Sequence, residues 1–379
     1  MAPTQSGGEL SVDSMLVVDA DAHLLEKDED LLPYMDEYPG MKRYIEGASD
    51  PSVQIRTQIY SGPNTVGIYD TDARDLTSSV YDKLKDDDES AHVDTKLEEM
   101  NDFGIDVGVV TGTTMLHINT VNYPQAALAY ANAYNKFLRH EILDAHEGIK
   151  AAALVSQFEP EKGAEEIDEM GSEEDIVAVA MPNGGLRPPF GSKEFDPIYQ
   201  AAVDNDLPIL LHPTTSLGFD YPATYRDSHT YAESRVVSQP WRCMWDLTTS
   251  LTRGLPERFP DLQIVFQEAG IAWVPYTLWR LDDTYMEHPD QVPLLEQLPS
   301  EYVEDRYYFT TQPLGHTSGA NLASAFDLLG PESIMFSSDL PHGAFDSAPE
   351  ILRQLTPHFD EETIRAIMGE TAASVFGLE

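Results

Sequence analysis

The decapeptide VVDADAHLLE at positions 17–26 opens as an apolar run and closes on Asp19, Asp21, His23 and Glu26. Carboxylates and an imidazole in so short a span are ligands for a metal ion or carriers of a proton. Residues two apart on a strand point to the same side, so Asp21 and His23 aim together. Later apolar runs end in the same currency. His212 closes PILLHP (208–213), Gln267-Glu268 closes LQIVFQE (262–268), and Asp339 closes SIMFSSD (333–339), with His342 three residues on. His117 follows IDVGVVTG (105–112). Asp21, His23, His212 and Asp339 are two carboxylates and two imidazoles, a donor set for one divalent cation of the Zn²⁺ or Mn²⁺ type. Asp19 reads as a structural pairing group. Glu26 is a substrate contact or a solvated acid, and His117 a site residue or a loop hydrogen-bonder.

These residues can act together only if a fold gathers the ends of the runs. Eight runs are short, apolar and strand-like: 15–21, 105–112, 149–156, 176–182, 208–213, 262–268, 306–311 and 333–339. Amphipathic helical patterns separate them, among them DTKLEEMNDFG (94–104), the Ala-rich 123–146, and a segment that starts at Pro240. Strands buried on both faces and alternating with helices predict a parallel (β/α)₈ TIM barrel, whose active sites lie at the C-terminal ends of the strands. An open doubly wound sheet is the structural rival. It calls for a glycine-rich phosphate turn after the first strand, and this chain has acids and a histidine there. The whole of 1–379 reads as one domain. Residues 24–93 read as an insertion after the first strand that forms a lid over the catalytic face, with VQIRTQIY and TVGIYD as short strands and the run from Asp86 to Glu89 as solvated surface.

Composition narrows the setting. The chain of 379 residues carries 23 Lys+Arg against 66 Asp+Glu, a formal charge of -43. A field of that sign repels nucleic acid and anionic membranes. The acids are spread through a periodic chain that is 41% hydrophobic, which fits a folded, salt-adapted protein. At molar salt the Debye length falls to about 3 Å, and like surface charges stop repelling one another. The single cysteine, Cys243, allows no internal disulfide. The polar start MAPTQSGGELSVDS does not read as a signal peptide, and no run approaches a membrane span. The expectation is a cytoplasmic protein with a small-molecule substrate.

The D-x-H strand end, the LLHP run, EAGIAWVPYTLWRLD (268–282) and SIMFSSDLPHG (333–343) together resemble the amidohydrolase superfamily. The closer likeness is to its branch with aminocarboxymuconate-semialdehyde decarboxylase and γ-resorcylate decarboxylase. The likeness runs from about 15 to 376. It implies that Asp21-x-His23 replaces the His-x-His or Glu-x-His of the first strand. It makes His212 a ligand that also serves catalysis, and Asp339 both ligand and proton-transfer group. Glu268 stands where the family has a histidine, so that its role is open between fifth ligand, base and substrate contact. The fourth strand ends in Ala180-Met181-Pro182-Asn183 with no bridging acid or lysine, which implies one metal ion rather than two.

Two chemistries fit such a site. One is non-oxidative decarboxylation of an aromatic or enoic acid, with the metal as template and Asp339 or a neighbour delivering a proton. The other is hydrolysis of an amide, ester or lactone by water whose pKa the metal lowers towards ~7. A barrel that binds metal or ligand without turnover is a third, non-enzymatic possibility. Decarboxylation is favoured by the acid-x-His start. An anionic substrate then needs a cation at the mouth, and Arg235, Arg242 and Arg280 are candidates, with His342 as a further substrate contact. Each arginine is also readable as a surface charge or an ion-pair partner. The resemblance further implies a homodimer or higher homo-oligomer in which a neighbour's arginine reaches the site.

Overall fold

The computed structural model describes residues 10–46, 91–121, 123–213, 231–304, 306–313, 317–342 and 346–378. The expected strands VQIRTQIY and TVGIYD, the acid run, and most of the expected lid lie outside these residues. Strands and helices alternate: β1 Val18–Leu24, α1 Ala91–Phe103, β2 Val107–Gly112, α2 Pro124–Phe137, β3 Ile149–Leu154, α3 Pro160–Met170, β4 Ile176–Ala180 and α4 Asp196–Asp204. The second half repeats the pattern with β5 Ile209–Leu211, α5 Tyr231–Thr252, β6 Ile264–Phe266, α6 Trp273–Glu287, β7 Tyr307–Thr310, α7 Gly319–Leu329, β8 Ile334–Met335 and α8 Ala348–Leu355. Each strand pairs in parallel with the next, in the order β1 to β8. The seam closes through backbone hydrogen bonds: Ala20 N–H to Phe336 O (3.1 Å), Asp339 N–H to Asp21 O (3.1 Å) and His23 N–H to Leu340 O (2.9 Å). This is a (β/α)₈ barrel, and its strands are buried on both faces, as their continuous Val, Ile and Ala runs require.

Local chemistry sets the element ends. Helix α1 packs Met100 into the core and stops at Gly104, whose φ of 69° is the left-handed turn that a glycine adopts at no steric cost. Ile105 N–H then caps Met100 O at 2.9 Å. Helix α2 starts at Pro124, whose missing N–H would have had no partner there. The helical pattern over 123–146 is α-helical only to Phe137 and then widens into a π-turn over Leu138–Ile142. Helix α5 begins nine residues before Pro240, which is where the sequence places its start. The proline removes the bond to the carbonyl of Val236, and Val236 is 72% exposed, so the freed carbonyl belongs to an open turn rather than to the core.

The first strand runs further than its apolar letters suggest. It reaches Leu24 because pairing with β2 continues through His23↔Thr111 and Leu24↔Gly112. The register steps from Asp19↔Gly108 to Ala22↔Val110, so β1 holds one extra residue there. A bulge of this kind re-aims side chains beside a site. Among the described residues no helix is long and apolar enough to cross a membrane.

Candidate active site

At the C-terminal end of the barrel the side chains of Asp21, His23, His212, Glu268, Asp339 and His342 converge. His23 Nε2 lies 3.5 Å from Asp21 Oδ1 and 3.3 Å from Asp339 Oδ1. His212 Nε2 lies 3.6 Å from Asp21 Oδ1 and 3.5 Å from Glu268 Oε2. The His23 and His212 rings meet edge to face at 5.0 Å. Three overlapping triads, Asp21–His23–His212, His23–Asp339–His342 and His212–Glu268–Asp339, each hold their ligand atoms within 4.8 Å of one another.

The strands and turns fix these groups from behind. His212 Nδ1 lies 2.6 Å from Pro213 O. A carbonyl only accepts, so Nδ1 carries the proton and Nε2 offers its lone pair to the centre. Thr111 Oγ1 holds His23 Nδ1 at 3.0 Å. Gln312 Nε2 donates to Asp339 Oδ2 at 3.0 Å, and His342 Nδ1 lies 2.5 Å from Asp339 Oδ1. His342 Nε2 reaches Thr113 Oγ1 at 3.1 Å, and its ring lies 4.3 Å from that of His23. Glu268 and Asp339 both sit at positive φ, 44° and 65°. Non-glycine residues hold that conformation uncommonly, and such residues cluster at sites whose surroundings over-determine them.

Electrostatics point the same way. Burial, then the carboxylates of Asp339, Glu268 and Asp19, push Asp21 well above the usual carboxylate range. Burial and the neighbouring His342 lower His23 to about 4, and burial and His23 hold His212 well below its usual value. Both imidazoles are therefore neutral at pH 7. Burial alone would raise Asp339, but His342 and His23 outweigh it and hold Asp339 ionised. Burial disfavours charge on His342 as well, yet Asp339 raises it. A hydrogen bond from His342 Nδ1 to Asp339 Oδ1 joins the two.

Among the described residues, both oxygens of Asp21, Nε2 of His23 and Nε2 of His212 are buried with no hydrogen-bond partner. Buried polar atoms in native proteins are satisfied, so four such atoms facing one centre call for a ligand. Crowded carboxylates beside neutral imidazoles call for a cation. The residues therefore fit a divalent metal ion, with oxygen and imidazole donors suited to Mn²⁺ or Zn²⁺.

The structure places the other expected residues unevenly. His117 is buried on the turn Met115–Thr120; burial and the nearby His342 lower it to about 3. Arg242 is buried in α5 and forks onto Asp246, with Nε–Oδ2 2.9 Å and Nη2–Oδ1 3.3 Å. Arg280 does not join the site: its side chain is 62% exposed on α6 and pairs with Asp283 at 2.9 Å. The side chain of Arg235 lies outside those described. Asp19 is structural, accepting from Ser338 N–H at 2.9 Å, from Asp21 N–H at 3.1 Å and from the Ser338 hydroxyl.

Glu26 is not a solvated acid. It is fully buried and accepts from Met115 N–H at 2.8 Å. Gly112 makes room for it: a Cβ there would lie 2.8 Å from Glu26 Oε1 and 2.7 Å from Tyr134 Cε2. Burial raises Glu26 to about 8, although backbone hydrogen bonds oppose the shift. The folded state thus holds this proton more tightly than the unfolded chain, where the value is 4.5. The stabilisation is complete below the unfolded value and is lost as pH rises through the folded one. Glu26→Gln mimics the protonated form. Its stability advantage over the wild type should grow by about 3 kcal/mol between pH 5.5 and 8.5, read from urea midpoints. An advantage that does not change with pH would show that Glu26 ionises as freely folded as unfolded.

A cation that the sequence pattern does not mark is Lys96. It is buried (3% exposed) on α1, with Nζ 2.6 Å from Glu99 Oε2 and 3.1 Å from Leu340 O.

Known proteins share this chain's family and fold. The model of the family described as Amidohydrolase matches residues 18–378. A decarboxylase of Emericella nidulans, orsB, is 26% identical over 269 residues, covering 69% of this chain and 78% of that protein. An amidohydrolase from Mycobacterium avium subsp. paratuberculosis superposes with a TM-score of 0.69 at 18% identity, over 96% of this chain and 99% of that one. The 5-carboxyvanillate decarboxylase of Novosphingobium aromaticivorans, solved with manganese and 4-hydroxy-3-methoxy-5-nitrobenzoic acid, gives 0.68 at 18% identity, over 96% of each chain. At such identities these structures show a shared fold.

Proposed function

The chain belongs to the amidohydrolase family, and on that premise we propose that it is a metal-dependent carboxy-lyase that removes CO₂ from an aromatic or enoic acid without oxidation. The observation that carries the reading is the hydrogen-bonded pair Asp339–His342 set directly against the atoms of Asp21, His23 and His212 that have no partner among the described residues. The decarboxylase relatives support it. Asp21, His23, His212 and Asp339 would hold one ion, with Glu268 in reach. We favour Mn²⁺, which carboxylates suit. Such an ion would supply positive charge for the substrate carboxylate and the oxygen beside it.

The chain's own residues do the rest. A proton passes from His342 through Asp339 to the carbon that bears the carboxylate, and a C–H bond forms there. The C–C bond to the carboxylate then breaks, its electron pair returns to the ring or alkene, and CO₂ leaves. His342, 23% exposed, is the member of the pair open to the mouth and to proton resupply. His23 and His212, neutral, keep their lone pairs for the centre. Burial excludes water from it, which strengthens each of these electrostatic contacts.

The test is a panel of hydroxybenzoates, among them 5-carboxyvanillate and 2,6-dihydroxybenzoate, alongside lactones and amides, in molar salt with Mn²⁺. Molar salt is chosen because we read the charge of -43 as adaptation to it. At least one acid should release CO₂, and in D₂O its product should carry one deuterium at the vacated carbon. Chelation should stop the release and Mn²⁺ restore it. Hydrolysis of a lactone or amide with no CO₂ from any acid overturns the reading.

A further inference from the structure

We infer that Lys96 is a positioning residue for the Asp339 turn, clamping it against β1 so that Asp339 keeps the geometry from which it holds metal and moves a proton. The inference rests on the metal-dependent reading above. Its ground is a set of contacts between parts of the chain far apart in sequence. Lys96 Nζ donates to Leu340 O at 3.1 Å, and the same carbonyl accepts His23 N–H at 2.9 Å. One oxygen thus ties together α1, a candidate ligand of β1, and the residue that follows Asp339.

The other side of Asp339 is clamped as well. Ser338 N–H and the Ser338 hydroxyl donate to Asp19, and Leu340 N–H donates to Ser338 Oγ at 3.0 Å. Asp339 N–H itself donates to Asp21 O at 3.1 Å. A residue at φ 65° with a Cβ persists only where its surroundings over-determine it. Asp19 on one flank and Lys96 on the other supply that determination. A plain i,i+3 surface pair of Lys96 with Glu99 does not account for the arrangement. Surface lysines keep their ammonium in water, whereas the side chain of Lys96 is 4% exposed and spends a bond on a carbonyl 244 positions away.

The sign of one measurement separates positioning from bare charge. Removing a buried cation near a metal site should, by Coulomb's law alone, tighten binding of another cation. Removing a clamp should loosen it, and outer-shell partners of metal ligands typically cost 10–100-fold. We expect Lys96→Met to weaken Mn²⁺ binding about 10-fold, measured by electron paramagnetic resonance on the full chain in molar salt. Lys96→Gln keeps a donor for Leu340 O without the charge and should stay within about 3-fold of the wild type, as should Lys96→Arg. With an active substrate in hand, Lys96→Met should lower kcat more than it raises KM.

Tighter or unchanged Mn²⁺ binding in Lys96→Met overturns the inference, including the case in which only its melting temperature falls. Should Lys96→Met not fold, Lys96→Gln and Lys96→Arg decide. Equal affinities support the clamp, and tighter binding in Lys96→Gln alone assigns Lys96 to charge. If the wild type itself binds no Mn²⁺, the reading of the site fails rather than the role of Lys96.

Discussion

Asp339→Asn should lower kcat by roughly 10²–10⁴-fold, the span that a positioned proton donor contributes. The isostere keeps the volume and the planar shape, and it can still face Gln312 and His342. It cannot take a proton from His342 and hand it on. Mn²⁺ binding should weaken far less than turnover, because the amide oxygen remains a donor at the same place. Steady-state rates of CO₂ release beside Mn²⁺ titrations on one preparation make the comparison. A variant that keeps more than a tenth of the wild-type kcat moves the proton-transfer role away from Asp339, and His342 becomes the first group to test.

His212→Ala is expected to remove measurable metal binding and with it all turnover. His212 Nε2 faces both Asp21 and Glu268, so it is the imidazole that joins the two halves of the donor set. Its loss leaves Asp21 and Glu268 without the neutral nitrogen between them, and His23 as the one imidazole beside Asp21. Any ligand that binds only the folded state stabilises it by RT ln(1 + [L]/Kd), about 2.7 kcal/mol at one hundred times Kd. Added Mn²⁺ should therefore raise the melting temperature of the wild type by several degrees and leave that of His212→Ala where it was. Equal shifts in both proteins would place the metal elsewhere.

Much of this was legible in the residues. Strand order and type followed from continuous apolar runs, because strands covered on both faces need no polar alternation. Asp21, His23, His212 and Asp339 could be brought to one end because a closed parallel sheet puts all strand termini of one kind on one face. What escaped had physical reasons. Lys96 lies four residues before Met100 in a helix of ordinary amphipathic pattern, and its contact with the Leu340 turn, far away in sequence, is not marked by that pattern. Glu26 looked like an acid at a loop start, since nothing in its neighbours announces that Gly112 leaves a cavity for it. Arg280 looked like a mouth cation by its place after β6, but the phase of α6 turns it to solvent. The start of α5 lies nine residues before Pro240 because a proline at an exposed turn need not be a helix boundary.

The backbone at Glu268 and Asp339 has a further consequence. Each residue holds a conformation that costs about 1–3 kcal/mol for a side chain with a Cβ. A glycine at either place would shed that cost, less about 0.5–1 kcal/mol for its own lost freedom. Screening for heat resistance alone would therefore drift towards a sturdier barrel with its centre erased. Any laboratory evolution of this protein has to select on turnover in every round.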